Sequence, residues 1–111
     1  MGTIIMTTTT DRMTKLQHLL QKEPHDPFLL YAMALEYKKI GHYHQALLYL
    51  GRVMQQDGNY CVAYLQSGQV HELAGDLNAA RDAYRTGVIA AKKKGDMHAA
   101  EEMQSALEAI G

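Results

Sequence analysis

Two stretches, ALEYKKIGHYHQALLYL at residues 34–50 and GQVHELAGDLNAARDAY at residues 68–84, carry one pattern twice. Ala34 stands where Gly68 stands, Gly41 where Gly75 stands and Ala46 where Ala80 stands, each pair 34 residues apart. Tyr49-Leu50 aligns with Ala83-Tyr84, so each copy keeps a large residue there. In each stretch a central glycine separates two segments whose apolar residues recur every three or four positions, the period of a helix. Glycine enters the left-handed conformation that closes a helix, so each is read as a C-cap. The unit is a pair of helices joined by a tight turn, and fixed-period self-similarity marks a repeat architecture.

Working outward, Thr10-Asp11 caps a first helix with the apolar stripe Met13, Leu16, Leu19 and Leu20, and Pro24 stops it. Asp26-Pro27 restarts the chain, the carboxylate accepting from free N–H groups and proline occupying the first helical position. That second helix runs to Ile40, and a third spans Tyr43 to Gln56. Asn59 is expected to cap a fourth, which ends at Gly75. Asp76 caps a fifth, closed by Lys92-Lys93-Lys94-Gly95 with its cations against the negative helix end. Asp96 caps a sixth, lined by Met97, Ala100, Met103, Leu107 and Ile110. Residues 1–10, rich in threonine and without period, are expected to form a flexible tail. No stretch alternates as a strand would, and short connections force antiparallel neighbours. The expected class is all-α, with about six helices.

Composition narrows the function classes. The 111 residues suit one domain. Eleven Lys+Arg against twelve Asp+Glu leave a net charge of −1, without the basic excess of a nucleic-acid binder. The chain is 47% hydrophobic and 21% charged, too apolar for disorder. A single cysteine, Cys61, makes no intramolecular disulfide. The apolar run from Phe28 to Leu35 falls far short of the roughly 20 residues that cross a bilayer. Met1–Met6 lacks the basic start and long apolar stretch of a secretory signal. A soluble, cytoplasmic protein without membrane or nucleic-acid partners is expected.

The repeat resembles the tetratricopeptide-repeat family, whose pattern is W-x2-L-G-x2-Y, then A-x3-F, then P. The first unit offers Leu30, Met33, Ala34, Tyr37, Ala46, Leu50 and Gly58. The second offers Tyr64, Ser67, Gly68, His71, Ala80, Tyr84 and Lys92. Ser67 and His71 depart from the family's Leu and Tyr, and both units lack the proline. The resemblance covers residues 27–94 and implies a right-handed α-solenoid of antiparallel helix pairs. It divides residues 11–111 into a half-repeat helix (11–24), one repeat (27–60), a second (61–94) and a capping helix (96–110).

The resemblance also implies a function. In this family the first helix of each pair lines a concave groove that binds a peptide or helix of a partner. Carried onto this chain, the groove residues are Phe28, Tyr31, Leu35, Lys38, Val62, Leu65, Gln66 and Gln69. Tyr31, Leu35 and Lys38, and likewise Val62, Leu65 and Gln69, are spaced by steps of three and four, which share a helix face. The clamp by which some members hold a chaperone's C-terminal carboxylate needs Lys, Asn and Arg, whereas Tyr31, Leu35, Gln66 and Gln69 stand at the corresponding places. An apolar or amphipathic segment is the expected guest. The alternative is a structural homo-oligomer, such as a homodimer, pairing through apolar repeat ends.

Other chemistry has little support. Of the six histidines, His42 and His44 flank Tyr43 in what reads as a loop, with no third ligand spaced to complete a metal site. Cys61 sits near a helix start without a histidine placed to activate it. No glycine-rich phosphate loop occurs. No cofactor, no metal and no catalytic residue are expected.

Overall fold

The computed structural model describes residues 10–111. Six helices follow in order: α1 (Asp11–Lys22), α2 (Pro27–Lys39), α3 (Tyr43–Gln56), α4 (Cys61–Leu73), α5 (Leu77–Lys94) and α6 (Met97–Ile110). No strand occurs among the described residues. Each helix packs on the next, and α4 also touches α6. The result is an α-solenoid of antiparallel pairs, 50 × 30 × 18 Å. Of the expected tail, residues 1–9 lie outside the described residues. Thr10 belongs to α1 as its N-cap, accepting from the Met13 N–H at 3.0 Å.

Local chemistry explains the helix ends. Asp26 accepts from the Phe28 and Leu29 N–H groups, Asp76 from Ala79 and Asp96 from Ala99. Asn59 does not cap α4. Tyr60 holds that position without a side-chain bond, while the Asn59 N–H donates to the Asp57 carboxylate at 3.0 Å. The asparagine is drawn back into an Asx turn that closes α3. His44 lies within α3, not in a loop. At Gly41 and Gly75 φ is +81° and +86°, and the next residue's N–H reaches back to Tyr37 O or His71 O at 2.9 Å, a Schellman closure.

Three buried clusters run along the solenoid. Met13, Leu16, Leu29, Ala32 and Met33 join α1 to α2. Leu30, Ala34, Ala46, Leu50, Val53, Ala63 and Val70 bind α2, α3 and α4. Cys61, Leu65, Ala80, Tyr84, Val88, Ala91, Ala100 and Met103 bind α4, α5 and α6. The small residues set the approach distances. A side chain at Gly68 would overlap the Tyr84 ring, so glycine lets that ring of α5 approach α4 closely. The Tyr84 hydroxyl then emerges to donate to Glu72. Beside α1, Glu36 is only 4% exposed yet fully partnered. It accepts from the Thr10 hydroxyl and pairs with Arg12 and Lys39 at 3.3 and 3.2 Å, which fixes α1 against α2.

Candidate functional site

The first helix of each pair, α2 and then α4, carries the residues expected to line the groove. Phe28 and Val62 stand at their N-terminal ends, and Phe28 is 64% exposed. Tyr31, Leu35, Lys38, Gln66 and Gln69 are half-buried. Polar contacts tie the two helices together here. The Lys38 ammonium donates to Gln66 Oε1 at 2.8 Å and to Gln69 Oε1 at 2.9 Å. Both acceptors are neutral, and no described carboxylate lies within ion-pair distance of Lys38. Next door, Glu72 Oε2 accepts from the Tyr84 hydroxyl. Lys38, Gln69, Glu72 and Leu73 line a cleft of about 290 Å³, and Leu73 is 56% exposed.

At the other end of this face the Tyr31 and Tyr60 rings meet at 5.5 Å, tilted by 52°. Burial raises the Tyr31 pKa above 10, the nearby Tyr60 adds to the shift, and a hydrogen bond from Gln66 opposes it. The hydroxyl therefore stays protonated at neutral pH and offers both a donor and an acceptor. Tyr60 borders this candidate face, and the sequence reading missed it. It precedes α4, outside any helical period, so periodicity carries no signal for it. Leu65 stands apart from the other seven. At 9% exposure it belongs to the cluster with Tyr84 and Met103. Its face of α4 turns toward α5 and α6, so substitution there perturbs folding first.

A second cavity, of about 400 Å³, opens elsewhere, bounded by α3, α4 and α5. Leu47, Gly51 and Met54 form one wall, Ser67 and His71 the floor, and Ala83 and Thr86 the other wall. The signal for it was present: Ser67 and His71 are the two departures from the repeat pattern, and Ala83 stands where the first copy has Tyr49. Among the described residues no three His, Cys, Asp or Glu side chains gather as a metal site. No described helix is long and apolar enough to cross a membrane.

Stacked helix pairs with one face bridged by Lys38, Gln66 and Gln69 define a helical-repeat scaffold. Comparison with known proteins sharpens the class. A TPR repeat-containing protein of Pseudomonas aeruginosa is 31% identical over 88 residues, which cover 79% of this chain and 84% of that one. The chain belongs to the tetratricopeptide-repeat family. No family model matches it. Among solved structures, a tetratricopeptide repeat domain protein from Salinibacter ruber superposes with a TM-score of 0.74 at 29% identity, covering 78% of this chain and 88% of that one. PcrH, solved in complex with the chaperone-binding region of PopD, superposes with a TM-score of 0.82 over 90% of this chain and 77% of its own, at 22% identity.

Proposed function

We propose that this chain is a non-catalytic protein-interaction module that holds an amphipathic segment of a partner against the face shared by α2 and α4. The observation that carries the reading is the arrangement of that face. Exposed Phe28 and Val62 and half-buried Tyr31 and Leu35 offer apolar anchors, and the Lys38–Gln66–Gln69 bridge lies beside them, with no described carboxylate within ion-pair distance of the lysine. Anchors next to a few fixed polar groups are what peptide recognition requires. Family membership supports the reading, as does the likeness in fold to PcrH, which was captured with a segment of another protein. The division into a half-repeat, two repeats and a cap belongs to the same proposal, since it makes α2 and α4 the two groove-lining helices. The site in the cell is proposed to be the cytoplasm.

The test is capture of partners from an extract of the native cell, identified by mass spectrometry. Tyr31→Ala and Lys38→Ala should each lose a partner that the wild-type chain retains, at unchanged helicity by circular dichroism. Equal capture by both variants removes this face as the binding site. A self-assembling scaffold is the second reading, favoured by the exposure of Ile89 on α5 and of Met97 at the start of α6, a position that the sequence pattern assigns to that helix's inner face. Light scattering that gives a monomer at every concentration rejects it.

A further inference from the structure

The cavity bounded by α3, α4 and α5 has a counterpart 34 residues earlier, and that counterpart is full. Between α1, α2 and α3 the corresponding places hold Met33 for Ser67, Tyr37 for His71, Tyr49 for Ala83 and Arg52 for Thr86. Met33 is completely buried. The Tyr49 ring stacks on Tyr37 at 5.5 Å, and the Arg52 guanidinium covers it at 5.0 Å. In the second junction all four side chains are smaller, and about 400 Å³ stands open where the Tyr49 ring and its neighbours would lie.

We propose that this cleft takes the aromatic side chain of a residue in a partner protein, one with a basic residue beside it. The first junction supplies the template. There a phenol ring, delivered on a protein segment, fills the corresponding space between the same kinds of wall. The cleft is open to solvent along one side, which suits a side chain carried on a protein better than a free small molecule, since small ligands favour sites that enclose most of their surface. Charge at the rim sets the neighbour. Asp82 lines the cleft where the first junction has Leu48, and Thr86 leaves vacant the place of the Arg52 cation. Arg85 meets Asp82 at 3.6 Å, but both are well exposed, so that pairing yields readily to an incoming cation. This surface is separate from the α2–α4 face, and neither proposal rests on the other.

The experiment is a nuclear magnetic resonance titration of the ¹⁵N-labelled full chain with three acetylated, amidated dipeptides: Tyr-Arg, Tyr-Glu and Leu-Arg. Tyr-Arg should give saturable shifts at the amides of Gly51, Ser67, Ala83 and Thr86. The other two should bind about threefold more weakly or worse, the scale of one exposed ion pair or one stacked ring. Ala83→Tyr fills the cleft from one wall and Ser67→Met from the floor. Each should weaken Tyr-Arg at least about tenfold while the chain stays folded, and if one fails to fold the other still decides. Equal affinity for the three dipeptides overturns the proposal. So do shifts centred on Tyr31 and Gln66, or wild-type affinity in a folded filled variant.

Discussion

The two junctions of this solenoid share a backbone plan and differ in their contents. Between α1, α2 and α3 the space is closed by Met33, Tyr37 and Tyr49, with Arg52 as a lid. Between α3, α4 and α5, Ser67, His71, Ala83 and Thr86 leave it open. The second junction stands regardless, because Tyr84, absent from the first copy, packs across Gly68 on its inner side. Both copies keep an inner layer, Leu50 with Ala34 in the first and Tyr84 with Gly68 in the second. The first copy adds a filled outer layer to it, and the second leaves that outer layer hollow.

The largest expected effect breaks that inner support. Gly68→Ala drives a methyl group into the Tyr84 ring and should cost about 3 kcal/mol or more, read from denaturant unfolding. Met33→Ala empties the filled junction and should cost about 2–5 kcal/mol, whereas Ser67→Ala at the equivalent place should change stability by less than about 1 kcal/mol. Equal costs at 33 and 67 would erase the contrast. Ala83→Tyr should gain about 0.5–2 kcal/mol by restoring the missing ring, visible as a higher Tm. Smallest is Gly51→Ala. This mid-helix glycine faces open space, so added helix propensity should stabilise by about 0.5–1 kcal/mol.

Alkaline pH probes the same layers. Burial and the bond to Glu72 raise the Tyr84 pKa well above 10, and burial raises those of Tyr31, Tyr37 and Tyr60. A pKa raised in the folded state means that the folded chain holds the proton more tightly than the unfolded chain. That stabilisation is complete below about pH 10 and is lost as pH rises through the folded-state values. Unfolding free energy should fall above pH 10, and Tyr84→Phe should flatten the fall more than Tyr37→Phe does.

Much of this was legible in the sequence. The spacing of Ala34 and Gly68, Gly41 and Gly75, and Ala46 and Ala80 specifies helix pairs, because closures and close approaches admit few residue types. The family resemblance proposed Phe28, Tyr31, Leu35 and Lys38 for one face, and the steps of four and three from Tyr31 to Lys38 agree with it. Leu65 was harder. It shares the helical step of the groove residues, and only the docking of α5 and α6 decides that it is covered. Tyr60 lies outside any period. The hollow junction escaped because Tyr49-Leu50 and Ala83-Tyr84 were matched as pairs, each containing a large residue. Shifting that residue by one place turns it through about 100° around the helix, from the outer junction to the inner face.

The central claim is that the α2–α4 face receives a partner segment. The direct measurement is photo-cross-linking in extract of the native cell, with a photoreactive residue in place of Gln66 in one chain and of exposed Gln55, on α3, in another. The account predicts a covalent adduct with a protein from position 66 and little from position 55. Equal labelling from both positions, or labelling from 55 alone, would contradict it.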